Sequence, residues 1–303
     1  MQLGIQTAQW GADFVDILAV WEHAERLGYR SAWLMDHFVP VVAPSTEPML
    51  ESWVTLAALL ARTSAIRGGV LVSANTFRHP ALLAHMAATA DRVSGGRLEV
   101  GLGAAWNAEE HRARGMAFPP VRDRMDMLEE AVQVLRALWT EPVADFEGRH
   151  YRLEQATCEP KPVQAHLPVL IGGRGERRTL RTVARYADRW NGSGSVEMLS
   201  ASADVLRRHC DDAGRDPATI ALTVMNECYV TEDASDAHAR REHAGRFRGM
   251  GADEVRDRVW IGNADEVRAQ LGAFDAAGFD EAILGLNPPY GARTLELLEA
   301  LMG

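Results

Sequence analysis

Short apolar runs alternate with longer amphipathic stretches along the whole chain. The runs fall at Leu3–Thr7, Ser31–Met35, Gly69–Ser73, Leu98–Leu102, Val169–Ile171, Asp188–Asn191, Ile220–Glu227 and Glu281–Gly285. Each reads as a short strand buried within a sheet. Helical periodicity marks the intervals. Asp13–Leu27 places Phe14, Ile17, Leu18, Trp21, Ala24 and Leu27 on one face, and Gly28 follows as a C-cap. Met49–Ala61, Pro80–Val93, Asp123–Trp139, Glu176–Tyr186, Met198–Ala213, Ala264–Ala277 and Ala292–Leu301 follow the same rule. Eight strands alternating with helices predict parallel strands joined by crossover helices. The α/β arrangement that eight such units close into is a single (β/α)8 TIM barrel, with an open doubly wound sheet as the alternative.

Two segments break the rhythm and predict insertions after strands 4 and 7. Val143–Pro162 reads as a hairpin around Glu147-Gly148 with a Pro-rich exit. Ala234–Trp260 is a charged segment before the last strand. Insertions of this kind serve as lids over the mouth or as dimer surfaces. No internal repeat, low-complexity tract or linker divides residues 1–303, so one domain is expected.

In a barrel, chemistry collects at the C-terminal ends of the strands. Those ends carry Gln6-Thr7, Asp36-His37-Phe38, Leu71–Asn75, Gly103–Asn107, Gly172–Gly175, Trp190–Gly192, Met225–Glu227 and Gly285–Asn287. Small residues, amides and tryptophans around one Asp-His pair suit a flat, mostly apolar aromatic ligand. The fifth unit adds a phosphate site. Val169–Ile171 runs into Gly172-Gly173-Arg174-Gly175, and a helix is expected from Glu176. A glycine turn leading into a helix N-terminus offers backbone N–H groups to an anion, and Arg174, Arg177 and Arg178 can add charge. The plainer reading of the same glycines is a helix entry. Their spacing fits neither the dinucleotide fingerprint nor the P-loop.

Competing chemistries lack their residues. Adjacent on a strand, Asp36 and His37 face opposite ways and cannot both chelate one ion without a bulge. His79 and His85 are not on a shared helical face. Glu109-Glu110-His111 opens a helix and is expected to cap it or lie in solvent. No strand-end lysine supports a Schiff base. No metal site is therefore expected. Trp10, Trp53, Trp106 and Trp260 are candidates for a substrate wall, although tryptophans more often belong to a core. Arg78 and His79 are expected to anchor the third loop, and Arg240–Arg248 to form a solvated helix face.

Composition narrows the partners. The 303 residues are 47% hydrophobic, enough for a large core, and the net charge of −10 argues against nucleic acid. Cys158, Cys210 and Cys228 form neither a close pair nor a disulfide framework, which points to a reducing, cytoplasmic setting. The chain shows neither a run of membrane-spanning length nor a secretory signal pattern.

With the motifs placed, the chain resembles the luciferase-like flavin and deazaflavin family, in particular its subgroup of oxidoreductases that use coenzyme F420. The resemblance covers nearly the whole chain and is weakest in Ala234–Trp260. It rests on GIQTAQW at the start, SAWLMDHF at 31–38, LVSANTFRHPALLA at 71–84 and ADRVSGGRLEVGLG at 90–103. AAWNAEEHRARG at 104–115, FEGRHYRLE at 146–154, KPVQ at 161–164 and GGRGERRTL with ARYADRWN complete it. It implies a ring system lying across the barrel mouth. Asp36 and His37 match the family's Asp-His pair, with His37 beside the ring and first candidate for proton source. Leu71, Val72 and Ser73 match a third-strand bulge with a non-prolyl cis peptide behind the ring, placed at Leu71–Val72. Ala104, Ala105, Trp106 and Asn107 would line the ring edge, and Gly172, Gly173, Arg174 and Gly175 would hold the phosphate. Trp10, Trp53 and Trp260 would wall the substrate.

The implied activity is hydride transfer between the deazaflavin C5 and an activated C=C, C=N or C=O bond. An FMN-dependent monooxygenase is the alternative, and a non-catalytic ligand-binding barrel a further one. A homodimer and a separate F420 or flavin reductase are family expectations. One departure stands out: related sugar-phosphate dehydrogenases carry a glutamate acid after the fourth strand, where this chain has Ala104-Ala105-Trp106.

Overall fold

The computed structural model describes residues 1–41, 46–248, 251, 255 and 257–302. The eight expected strands are β1 (Gln2–Thr7), β2 (Ser31–Leu34), β3 (Arg67–Ala74), β4 (Leu98–Gly103), β7 (Val169–Gly172), β8 (Arg189–Gly192), β9 (Ala221–Val230) and β11 (Glu281–Leu286). They pair in parallel in that order, and β11 returns to β1 with Gln2 opposite Glu281, closing the ring. The fold is a (β/α)8 TIM barrel. Helices α1 (Phe14–Leu27), α2 (Ser52–Arg62), α3 (Pro80–Val93), α5 (Val121–Thr140), α6 (Thr179–Tyr186), α7 (Val196–Ala213), α9 (Ala264–Ala276) and α10 (Ala292–Met302) surround it. Gly28 ends α1 with φ 84°, a left-handed conformation that costs glycine little.

Both interruptions are insertions. After β4 come a short helix, α4 (Ala108–Ala113), then α5 and an antiparallel hairpin of β5 (Ala144–Glu147) and β6 (Arg152–Ala156). After β9 come α8 (Ala234–Arg248) and β10 (Val259–Gly262), which pairs with the end of β9 outside the ring. Several residues of the charged segment, 249–250, 252–254 and 256, lie outside the described residues.

The large core lies between sheet and helices, and a second, smaller one fills the barrel. Trp33, Leu71, Leu170 and Ile283 meet inside, with Val72 and Met225 packed above them. Beneath this layer, at the strand N-termini, sits a buried charge cluster. Glu99 accepts from Arg30 and Arg67, each at 2.6 Å, and pairs with Arg189 at 3.4 Å. Glu281 accepts from Arg30 at 3.1 Å and from Arg189 and the Ser31 hydroxyl. The barrel is thus plugged below by paired charge and filled above it by apolar side chains. Among the described residues no helix is long and apolar enough to cross a membrane.

Candidate active site

The peptide Leu71–Val72 is cis, at the position the resemblance implied. The local register supports this reading: β3 slips against β4 between Val70 and Ser73, a bulge that turns Val72 toward the mouth. Gln6 on β1 donates to the Leu71 carbonyl at 2.9 Å, and Trp53 donates to the Ser73 hydroxyl at 3.0 Å. Three glycines make room for Val72. A Cβ on Gly103 would stand 2.5 Å from a Val72 methyl and one on Gly172 3.0 Å, while one on Gly101 would strike the Val70 carbonyl oxygen before reaching Val72 at 3.2 Å. Contacts that close force movement, so the glycines of β4 and β7 and the side chain of Val72 define one surface. Gly101 and Gly103 are buried beneath it, while Val72 and Gly172 are half-buried and form an apolar patch that suits a flat ring.

His37 stands at the rim of this surface, just beyond β2. Its ring meets Trp106 edge to face at 5.5 Å, and Trp106 is 66% exposed. The carboxylate paired with His37 is Glu110, not Asp36. Glu110 Oε2 lies 2.8 Å from His37 Nδ1, while Oε1 accepts from the backbone N–H groups of Phe38 and Val39. Burial pushes the Glu110 carboxyl up, but the bonds from His37, Phe38 and Val39 outweigh it and hold the group below its usual range.

Of Glu109-Glu110-His111, expected to cap a helix or lie in solvent, Glu109 is exposed at the start of α4, but the other two are corrected here. Glu110 and His111 are buried, and His111 bonds Thr76 Oγ1 and the Asn107 carbonyl, each at 2.7 Å. The cap is Asn107, whose side chain accepts from Glu110 N. The signal was available: α4 is a short helix with its second and third residues acidic, and helical geometry turns Glu110 inward once Asn107 starts the first turn.

Asp36 has a different task. Both its oxygens accept from Arg78, at 2.7 and 3.0 Å, and it also accepts from Ser52 Oγ at 2.8 Å and Ala74 N at 2.9 Å. It ties β2, α2 and the end of β3 together, so Arg78 anchors the third loop as expected. The loop after β4 is fixed by a residue that sequence reading missed. Arg124 of α5 donates to the carbonyls of Ala104 and Ala105, and its guanidinium stacks 3.9 Å over Phe118. Ala105 has φ 59°, a left-handed conformation costing a non-glycine residue on the order of 1–3 kcal/mol, and these contacts hold it there.

At the fifth unit α6 begins at Thr179, three residues later than expected, because Glu176–Arg178 form a turn first. Trp190 Nε1 donates to the Gly173 carbonyl at 2.7 Å and Gly173 N to Asn191 O at 3.0 Å, which pins the glycine turn to β8. Arg174 is half-buried against Met198 of α7, whereas Arg178 is committed to Asp126 and the Arg122 carbonyl. Gly172–Gly175 and Arg174 therefore stay together at the mouth, and Arg178 does not join them.

The tryptophans divide. Trp10 and Trp53 are buried beside the first and third strand ends. Trp260 is 3% exposed and packs edge to face on Phe274 of α9, on the core side of β10. As a substrate wall it is ruled out by that orientation, since its strand neighbours Val259 and Ile261 take the other face. Beside β10, Glu227 and Tyr229 of β9 and Asn287 after β11 form a polar group. Asn287 Nδ2 donates to the Tyr229 hydroxyl at 2.8 Å, and the hydroxyl donates to Glu227 Oε2 at 3.3 Å.

Comparison with known proteins places this geometry. A family model described as luciferase-like monooxygenase matches residues 2–281. An uncharacterized protein of Mycobacterium tuberculosis (strain ATCC 25618 / H37Rv) is 34% identical over 218 residues, 66% of this chain and 76% of that one. An F420-dependent glucose-6-phosphate dehydrogenase of Intrasporangium calvum is 37% identical over 177 residues, covering 57% of this chain but 50% of its own length. Among solved structures, an F420-dependent secondary alcohol dehydrogenase in complex with an F420-acetone adduct superposes with a TM-score of 0.88 at 22% identity, covering 99% of this chain and 98% of that one. The barrel with its bulged third strand, glycine turn and Asp-His rim belongs to the luciferase-like monooxygenase family.

Proposed function

We propose that this protein is an F420-dependent oxidoreductase that moves a hydride between the deazaflavin C5 and an activated C=C, C=N or C=O bond of a small molecule. The observation that carries the reading is the surface of Val72 over Gly101, Gly103 and Gly172, with the His37–Glu110 pair at its rim. The glycines seat Val72, and a planar ring would lie against the half-buried Val72 side chain. Val72 and the glycines would hold the ring, and Gly172–Gly175 with Arg174 the phosphate. The relatives named for F420 support the cofactor.

F420, when bound, would supply the hydride that ends on the substrate carbon. The remaining work belongs to the chain. Glu110 fixes His37 through Nδ1, leaving Nε2 to give the substrate heteroatom its proton. Trp106 covers the imidazole edge and limits its access to water. Reduction of a C=O bond would put the hydride on carbon and the His37 proton on oxygen to give CH–OH, with the coenzyme left oxidised and His37 re-protonated from solvent. A separate reductase would regenerate the reduced coenzyme, and a homodimer is the proposed assembly. Ala104-Ala105-Trp106 stands in the loop where sugar-phosphate dehydrogenases of this kind carry an acid, so a sugar phosphate is not the proposed substrate.

A second reading, an FMN-dependent monooxygenase, is favoured by the description of the family itself. Anaerobic oxidation of reduced F420 across ketones, enones and imines tests the first reading. Oxidation of F420 with product reduced by two electrons supports it. Oxygen consumption with reduced FMN, and none of that F420 chemistry, would replace it by the second.

A further inference from the structure

Helix α4 is only six residues long, and a helix that short depends on what it packs against. Two of its side chains, Glu110 and His111, are buried, and they grip different loops. Glu110 takes the loop after β2, through His37 Nδ1 at 2.8 Å and the backbone N–H groups of Phe38 and Val39. His111 takes the loop after β3, where its Nε2 lies 2.7 Å from Thr76 Oγ1. Successive helical positions stand about 100° apart around the axis, so the two side chains leave α4 in different directions. A helix tied along one side can still roll about its axis; a helix tied along two cannot. The gripped loops also touch each other, since Phe38 packs on Phe77 at 4.8 Å.

The surroundings of His111 show more than space-filling. Its ring has no exposed surface and sits 4.7 Å from both Phe77 and Phe118. Both nitrogens are used. Nδ1 lies 2.7 Å from the Asn107 carbonyl, which can only accept, so Nδ1 carries a proton. In the neutral ring Nε2 is then an acceptor, and the Thr76 hydroxyl donates to it. The bond to Asn107 also strengthens the start of α4, because the backbone His111 N stands 3.4 Å from the same carbonyl. Beyond Phe118, the Arg124 guanidinium stacks at 3.9 Å and donates to the Ala104 carbonyl, which ties the cage to the loop after β4.

We propose that His111 is a positioning residue for His37: its bond to Thr76 sets the rotation of α4 and so keeps the Glu110 carboxylate on His37 Nδ1. The proton-donating use of His37 rests on the oxidoreductase reading of the same mouth, whereas the positioning is a property of the chain without cofactor. Without the Thr76 bond, α4 rolls, Glu110 leaves Nδ1 and the His37 ring no longer holds Nε2 in one direction. Proton delivery then falls while the Val72 surface is unchanged.

The test follows the His37 Nδ1 proton by histidine-selective nitrogen NMR of the full chain, with and without F420, the signal being assigned by its loss in His37→Gln. In the native protein this proton is expected to be visible and slow to exchange with water, because a buried carboxylate accepts it. Thr76→Val keeps the side-chain shape and removes the hydroxyl. It should speed the exchange by roughly tenfold, the scale of one net hydrogen bond, and so should His111→Phe, which keeps a ring between Phe77 and Phe118. Thr76→Ser keeps the hydroxyl and should stay within about twofold of the native rate. In Thr76→Val, turnover should fall by about tenfold, as when an orienting partner is lost, with F420 affinity within about twofold. Thermal midpoints are recorded so that exchange is compared well below unfolding. A slow His37 proton that survives in Thr76→Val, equal loss of it in Thr76→Ser, native exchange as fast as in Glu110→Gln, or full turnover with fast exchange overturns the proposal. Exchange that responds as expected in a protein that neither binds nor oxidises F420 would instead overturn the oxidoreductase reading and leave the positioning standing.

Discussion

The two ends of the barrel handle polar groups in opposite ways. At the bottom, Arg30, Arg67 and Arg189 meet Glu99 and Glu281, so charge is matched with charge inside the protein. At the mouth, Gln6, Asp36 and Asn107 hold backbone, glycines seat Val72, and His37–Glu110 remains at the rim. The bottom is closed by its own side chains. The mouth is shaped by them and left for something else to complete. This agrees with the general division of labour in such barrels, stability below and chemistry above.

That contrast can be broken most forcefully from below. Although burial pushes the Glu99 carboxyl up, Arg189, Arg30 and Arg67 hold it below its usual range. Glu99→Ala strips Arg67 of its carboxylate and leaves Arg30 and Arg189 to share Glu281, and a loss of about 3–5 kcal/mol is expected, read as denaturation midpoints. F420 affinity of the folded fraction should stay unchanged, and a large loss of affinity without loss of stability would contradict the division.

From above, Gly103→Ala pushes a methyl to within 2.5 Å of Val72 and should reverse the balance. F420 affinity is expected to fall by at least tenfold for a stability cost of about 1–3 kcal/mol, the usual range for overpacking. Adding Val72→Ala should recover part of the affinity. If the pair behaves additively, the shared surface does not exist.

Glu110→Gln sharpens the picture at the rim. Turnover is expected to fall by about 10-fold to 100-fold, as when an orienting partner of a functional histidine is lost, with F420 affinity kept within about twofold. The pH dependence has a defined sign. The Glu110 carboxyl is held low in the folded chain, so its contribution to stability is present above the unfolded value near 4.5 and fades as pH falls through the lower folded value. Thermal midpoints from pH 7 to pH 3 should therefore drop less steeply in Glu110→Gln than in the native protein.

The smallest effect is expected at Trp260. Trp260→Phe should cost about 1–2 kcal/mol through lost packing on Phe274 and leave ligand affinity untouched. A changed affinity would return that residue to the substrate wall.

The barrel was legible because each strand and helix announces itself locally. Apolar runs of a few residues alternate with amphipathic stretches, and Gly28 caps where its position says it should. The cofactor surface was legible through the ordered motifs, which located the bulge at Leu71–Val72. What escaped were relations between distant residues. Glu110 looked like a helix-start acid because its partner, His37, lies 73 positions away. Arg124 carries no signal that sets it apart from other charges on its amphipathic helix, yet it fixes the loop at Ala104–Ala105. Trp260 was placed by its aromatic character, but strand alternation sends it to the core. The start of α6 moved because a turn at Glu176–Arg178 precedes regular helix, and periodicity alone does not separate the two.

The most direct test of the account is a fluorescence titration of the purified protein with F420 and, separately, with FMN. Micromolar or tighter binding of F420 with much weaker binding of FMN is expected, and Gly103→Ala should weaken the F420 isotherm. Preference for FMN, or binding of neither, would contradict the reading of the Val72–glycine surface as a deazaflavin cradle.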